Sequence, residues 1–544
     1  MKLFNGILFA GTICLTLTSG LNVLAQKGHP ELNSIDPNKI EGHMTFLADD
    51  LLKGRAVGSE EFEIASVYVQ SQLLSMGLKP ASSNGTFKQE VPFKQATVDT
   101  EKSYFTVNNQ PLVWAEDFII SPYFEAEVSE IEAEMVFVGF GVSAPDFKYD
   151  DYAGIDVKNK IVIYINDAPA FLPSNEKAYF TTGNVKYETA IAKGAIGVIN
   201  FMHPENNRRP WLGTVSRTRN GRYLWTNPEG KTPASFPEIK AAVTLNNEKL
   251  TKLFGDKLDS FAKALKSLDE GKSSSFELNT SAKIHVETKS KTVTSHNLLA
   301  EIEGSDPKLK NEYLVYAAHL DHLGFGRTIN GDSIYNGAHD NASGVAILLE
   351  IARTFKESKI NHKRSVLFAV VTGEESGLLG SDYLANYPPE GKENMVANIS
   401  MDMPFFFHPI LDIVPYGAAH SSLGKKTEMA TKILGLEISP DPFPQQVIFI
   451  RSDHYSFVRK GIPALFIKSG FKTIPEDTVD RSVSDLKWRS THYHTPQDDM
   501  NQDFDFNAAA THVKINYLIG KMVLDDATKP TWNSGDFFGN RAKQ

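Results

Sequence analysis

From about residue 290 the chain alternates short apolar runs with segments of helical periodicity. Runs at 297–302, 313–318, 365–372, 394–401, 412–416 and 464–468 read as strands. Between them, the segment 342–357 sets Val345, Leu348, Leu349, Ala352 and Phe355 on one side, which is helical spacing, and 508–522 reads as a closing helix. This alternation points to an α/β fold, a mixed and mostly parallel sheet sandwiched by helices.

The rest of the chain has a different character. Segments 40–52 and 61–76 read as helices, the second with Ala65, Val69 and Leu73 in register and Gly77 as its stop. From about 120 to 285, β-like runs at 134–138, 160–165 and 196–201 are separated by Gly, Pro and Asn, with helices expected at 186–193 and 249–271. At 544 residues the chain exceeds one core. The expected division is a signal segment at 1–25, an N-terminal piece at 26–120, a β-rich insert at 121–285 and the main domain at 286–544.

The formal net charge of −10, with both signs mixed along the chain, argues against nucleic acid as a partner. Met1-Lys2 leads into an apolar stretch ending at Val23-Leu24-Ala25, which reads as a cleaved secretory signal and places the mature chain in the periplasm or outside the cell. No other segment is long and apolar enough to span a bilayer. The single cysteine, Cys14, lies inside that signal, so metal ligands in the mature chain must be His, Asp and Glu, a set suited to Zn²⁺. The oligomeric state is left open.

Glu374 and Glu375 follow the apolar run 365–371 directly, and adjacent carboxylates repel unless a cation relieves them. His319, Asp340, Asp402 and His494 supply the other parts of a metal centre. His319, the glutamate pair and Asp402 fall at the carboxyl ends of expected strands, where ligands of open α/β sheets bind. A carboxylate bridge allows two metals roughly 3.5–4 Å apart. In that scheme Asp340 bridges, His319 and Asp402 hold one metal, and His494 and Glu375 hold the other. Glu374 stays free as general base, and the Asp321 carboxylate accepts the second imidazole N–H of His319.

These motifs, HLDHLG, GAHDNASG, TGEESGLLGS, the Asp of SMDM and YHTP, resemble the series of the co-catalytic di-zinc aminopeptidases. That superfamily includes bacterial leucyl aminopeptidase, glutamate carboxypeptidase and the transferrin receptor ectodomain. DLLKGRAVGS and the helix running to Gly77 are similar to the family's N-terminal piece. The resemblance implies two Zn²⁺ ions, a peptide substrate cut at its N-terminal residue, and a cis peptide at Asp340-Asn341. The stretches 136–141, 149–156, 160–163 and 193–197 are similar to a protease-associated domain, which implies an insert that covers part of the cleft.

The chain departs from the family after Asp402. Ser400 stands where Asn is usual, and Met403-Pro404-Phe405-Phe406-Phe407 replaces a stretch where Gly is common, suggesting an apolar wall or plain packing. Arg451 is a candidate for a substrate carboxylate or carbonyl, and His322, Tyr455 and Tyr493 for an oxyanion. His454 reads as a packed histidine, and His492 competes with His494 as ligand. A carboxypeptidase or dipeptidase on the same site is the nearest alternative, ahead of a glutaminyl cyclase and a non-catalytic receptor-like ectodomain.

Overall fold

The computed structural model describes residues 28–205, 211–218, 221–474 and 476–542. The expected signal segment and Cys14 lie outside these residues. The chain forms two compact units. Among the described residues, one comprises 28–91, 295–442 and 451–542, and the other 92–294 and 443–450. The segment 121–285 lies wholly within the second unit, which also takes in 92–120.

The first unit is built on strands β1 (Ser275–Ile302, entering this unit at Ser295), β2 (Tyr313–His319), β3 (Ser365–Val371), β4 (Met395–Ser400), β5 (Asp412–Tyr416) and β6 (Ala464–Ser469). Their spatial order is β1-β3-β2-β4-β6-β5. The inner strands β3, β2, β4 and β6 are parallel, while β1 and β5 close the edges antiparallel. Every residue of β2, β3, β4 and β6 is buried, as expected of parallel strands covered on both faces.

Helices α1 (Pro37–Leu47), α2 (Glu60–Ser75), α3 (Ser343–Ser358), α4 (Leu379–Asn386), α5 (Leu423–Leu434), α6 (His454–Arg459), α7 (Arg481–Thr491), α8 (Phe506–Asp525) and the short α9 (Phe537–Arg541) belong to the unit. Helices α3 and α8 pack on each other and on β2. Both are buried along most of their length, so either face meets apolar neighbours. Ile347, fully buried on α3, stands for this core, and Ile347→Ala would cost about 2–5 kcal/mol. The caps follow local sequence: Asp36 accepts the Asn38 N–H before α1, Ser59 the Phe62 N–H before α2, and Asp505 those of Asn507 and Ala508 before α8. The expected helix 40–52 is divided, because Ala48 ends α1 and Asp49 caps a separate 3₁₀ turn, Asp50–Leu52. Helix α7 was not expected. Its Val483 and Leu486 are exposed while Asp485 and Trp488 are buried, so it shows no apolar stripe.

The second unit has its own parallel core: Val128–Val138, Ile161–Ile165, Gly197–Phe201 and Ala241–Leu245 lie side by side. The earlier part of β1 and the strand Phe118–Ile120 flank them antiparallel. Phe137, Phe201, Phe254 and Phe261 form one ring cluster, with Phe254 and Phe261 stacked at 4.4 Å.

Candidate metal centre

Strand β2 lies between β3 and β4, in register from Tyr313↔Ser365 to His319↔Val371 and from Leu314↔Ala397 to Ala317↔Ser400. Three adjacent parallel strands therefore end on one edge. His319 is the last residue of β2, Glu374 and Glu375 follow β3, and Asp402 follows β4. The remaining two residues arrive from loops: Asp340 on the turn before α3, and His494 after α7.

The structure brings all six together. His319 Nε2 lies 3.4 Å from Asp340 Oδ1, 3.8 Å from Asp402 Oδ1 and 4.0 Å from Glu374 Oε2. His494 Nε2 lies 3.2 Å from Asp340 Oδ2 and 3.2 Å from Glu375 Oε2. Asp340 thus presents one oxygen to each imidazole. His322 joins the second group, with Nδ1 2.7 Å from Glu375 Oε1. The residues sort into two sets able to hold a metal, His319 with Glu374 and Asp402, and Asp340 with Glu375 and an imidazole, His322 or His494.

The atoms at the centre fit cations. Among the described residues, His319 Nε2, His494 Nε2 and Asp402 Oδ1 are buried without a hydrogen-bond partner. Buried polar atoms in native proteins rarely stay unpaired. Close approach without hydrogen-bond geometry is what side chains aimed at a shared cation show. The electrostatics agree. Burial pushes the imidazoles of His319 and His494 down, yet the surrounding carboxylates, Glu374 for His319 and Glu375 for His494, hold both well above the usual range. Burial lifts Glu374 well above its ordinary value, and Glu375 and Asp402 add to it. Burial raises Glu375, but His494 and His322 together hold it at about 2.

The surrounding residues fix the geometry. Asp321 differs in detail from expectation. Its backbone carbonyl, not its carboxylate, lies 3.0 Å from His319 Nδ1. The carboxylate turns instead to the glutamate pair and accepts the N–H groups of Glu374 and Glu375 at 3.2 and 3.4 Å. One residue therefore orients both His319 and the glutamate pair. The peptide Asp340-Asn341 is cis. Asn341 ties this turn to the Asp402 segment: its Nδ2 donates to Met401 O at 2.9 Å, and its Oδ1 accepts from Gly344 N at 2.8 Å and Met403 N at 3.3 Å. A Cβ at Gly344 would collide with Asn341 Oδ1. Gly337 opens the turn at φ +62°, and a Cβ there would stand 2.6 Å from His322 Cγ.

Sequence reasoning did not assign roles to three further residues. Asp498 accepts the N–H groups of His339 and Asp340, both at 2.9 Å, and so joins the His494 loop to the Asp340 turn. Burial pushes Asp498 up to about 6. Arg55, wholly buried, donates to the carbonyls of Leu320, Leu47, Asn336 and Gly337. Lys468 donates to Met403 O at 2.9 Å. There Met403 and Phe405 take left-handed backbone angles of φ 43° and 68°. The one signal for Arg55 was its place between Gly54 and Gly58 in DLLKGRAVGS, and for Asp498 its spacing four residues after His494.

Of the weaker candidates, Tyr493 stacks on His494 with ring centroids 3.8 Å apart, and its hydroxyl accepts from Arg451 Nη2 at 3.1 Å. Glu374 and Asp402 act electrostatically on Arg451. His454 is fully buried and stacks on Phe466 at 5.0 Å, and His492 stacks on Trp488 at 5.9 Å rather than joining the centre.

Comparison with known proteins agrees with this geometry. Aminopeptidase Y of Saccharomyces cerevisiae (strain ATCC 204508 / S288c) is 27% identical over 230 residues, covering 41% of this chain and 38% of that protein. A probable zinc metalloprotease of Pyrenophora teres f. teres (strain 0-1) is 35% identical over 283 residues, covering 44% of this chain and 57% of its own length. The chain thus spans about four to six tenths of these curated relatives. The solved aminopeptidase from Aneurinibacillus sp. strain AM-1 superposes with a TM-score of 0.52 at 20% identity, over 93% of this chain and 100% of that one, which shows the shared fold. The family model described as Peptidase family M28 matches residues 297–518, a stretch that holds all six residues brought together here.

Proposed function

We propose that the chain is a di-zinc aminopeptidase that removes the N-terminal residue of peptides. The observation that carries this reading is Asp340, whose two oxygens face two different imidazole–carboxylate groups while Glu374 stands beside them. His319 and Asp402 would hold one Zn²⁺, His494 and Glu375 the other, with Asp340 between. His494 is preferred over His322 because its Nε2 approaches Asp340 and Glu375 together at 3.2 Å, while His322 steadies the far oxygen of Glu375. When bound, the two cations supply Lewis acidity toward the scissile carbonyl and toward the attacking water.

The side chains do the rest. Glu374, lifted by burial, takes the proton from the attacking water and returns it to the leaving amine. Asp321 holds the backbone of the glutamate pair and fixes where that base points. Tyr493, stacked on His494 and held by Arg451, is placed to donate to the developing oxyanion. The acidic surroundings suit a free substrate ammonium.

We read the second unit as a protease-associated domain and residues 1–25 as a signal for export. No helix among the described residues is long and apolar enough to cross a membrane. The decisive experiment is Glu374→Gln assayed on aminoacyl anilides with metal content measured alongside. Two metals per chain with turnover reduced at least about 10²–10⁴-fold is expected. A fully active variant, or wild-type activity insensitive to chelator, would end this reading.

A further inference from the structure

In the second unit, Arg222 and Lys240 line one cavity together with Phe124, Tyr187, Leu224 and Phe236. Local structure explains why the two cations share it. Arg222 opens the strand Arg222–Trp225, which pairs antiparallel with Lys88–Val98, and period-two alternation sends Arg222 and Leu224 to the same face. Lys240 stands immediately before the strand Ala241–Leu245, whose first two residues also line the cavity. Phe124 and Leu224 pack with Ala96 into a small apolar cluster, and Tyr187 and Phe236 meet edge to face at 5.4 Å. Phe236 holds a left-handed φ of 55°, an uncommon angle for a bulky residue.

Among the described residues neither cation forms an ion pair. Lys240 Nζ donates to Pro237 O at 2.7 Å and to the Tyr123 hydroxyl at 2.9 Å, two of the three bonds an ammonium can give. Arg222 acts electrostatically on the Tyr187 hydroxyl, which can take up only part of a guanidinium with five N–H groups. Lys94 adds a third positive charge where it donates to Phe124 O. Glu125, next in the chain to Phe124, does not answer these charges. Its carboxylate accepts the hydroxyls of Ser235 and Thr232 instead. A half-buried guanidinium beside aromatic rings, with no carboxylate of its own, is best completed by an anion from outside.

We propose that this cavity binds the C-terminal residue of a peptide, with its carboxylate at Arg222 and Lys240 and its side chain against Phe124, Leu224 and Phe236. A carboxylate matches the planar fork of a guanidinium in two parallel bonds, and an ammonium serves beside it as a point charge. Apolar and aromatic walls with a few placed polar groups are the usual make-up of a ligand site. A bare inorganic anion would leave that wall unused, whereas an apolar terminal residue uses both parts. The cavity lies in the unit that does not hold the metal centre, and the proposal does not depend on the reaction assigned to that centre.

The test is isothermal titration of the metal-loaded full chain with N-acetyl-alanyl-phenylalanine, as the free acid and as the C-terminal amide. The acid should bind at least about tenfold more tightly than the amide, and Arg222→Gln should weaken the acid by at least about tenfold. The same variant should keep its kcat/KM on alanyl p-nitroanilide. Binding should slow amide hydrogen exchange in peptides covering 121–124 and 234–242. No measurable binding, equal affinity for acid and amide, or full affinity in Arg222→Gln overturns the proposal. So does protection confined to 319–342 and 492–499, which would put the carboxylate at the metal centre. Acetate or inorganic phosphate binding as tightly as the peptide would show an anion site with no use for a terminal residue, and overturns it too. Should Arg222→Gln fail to fold or lose activity as well, Lys240→Met, at an exposed position, carries the same expected loss of affinity and the same refutation.

Discussion

Each of the two units has four parallel strands at its core, and each buries ionisable groups against the segments that follow strand ends. They treat those groups in opposite ways. In the second unit the Asp151 carboxylate accepts Phe140 N and Val142 N at 3.0 Å each and the Tyr149 hydroxyl at 2.7 Å. Lys186, wholly buried, donates to the carbonyls of Phe140 and Asp167. Its charge is disfavoured, since burial brings its ammonium down to about 7. In the first unit His319, His494 and Asp402 keep buried atoms unpaired. A parallel sheet edge is thus a place where charge can be buried, not in itself a site. What separates a structural edge from a chemical one is whether the protein satisfies the charges itself or leaves them for a cation.

The largest break in this contrast comes from removing one carboxylate in each unit. Asp340→Asn takes the bridge from both metal positions and should abolish turnover, a loss of several orders of magnitude, with metal content falling from two per chain. Asp151→Asn should leave kcat/KM per folded molecule unchanged. It exchanges one hydrogen-bond acceptor set for another and should cost about 1–3 kcal/mol in stability. Activity loss in the second variant matching the first would show that the two edges are not separable in function.

Chelation sharpens the comparison at a smaller scale. A metal at 100 times its Kd stabilises the folded state by about 2.7 kcal/mol. Chelator should therefore speed amide hydrogen exchange in peptides covering 319–342 and 492–499, and leave peptides covering 136–167 as they were. Zn²⁺ added back should restore the first set. Equal loss of protection in both units would contradict a metal requirement confined to the first.

Legibility of the site followed the same division. His319, Glu374, Glu375 and Asp402 could be found because strand ends put them on one edge, and the strand run at 365–371 could be read from composition alone. Asp340 and His494 sit on loops, and motif spacing carried them. Arg55, Lys468 and Asp498 escaped because they act on backbone groups brought near by folding; Arg55 reaches carbonyls 265 to 282 residues away as well as Leu47 nearby. Asp321 was identified as a supporting residue, but which of its oxygens meets His319 depends on how the turn after β2 closes, and no pattern in HLDH encodes that. In the second unit the strands at 161–165 and 197–201 were legible, but of Val128–Val138 only the later half was, since its first half alternates with glutamates at 130, 132 and 134.

The smallest effect expected is a pH dependence confined to the second unit. Burial pushes Asp151 up to about 6 from an ordinary value of 3.8, against the pull of its hydrogen bonds. A carboxyl whose pKa is raised on folding favours the folded state below its unfolded pKa and loses that contribution as pH rises through the folded one. The wild type should therefore lose stability between about pH 4 and pH 6, by at most about 3 kcal/mol at 1.36 kcal/mol per unit. Asp151→Asn carries no titrating proton and should flatten that part of the curve. Urea unfolding followed by the exchange protection of 136–167 at pH 4, 5 and 6 reads this slope for the second unit alone. Because no cation is involved, the slope should be the same with and without chelator. A slope that survives in Asp151→Asn would assign it to another carboxyl, and one that vanishes only in chelator would place a metal in the unit that satisfies its own charges.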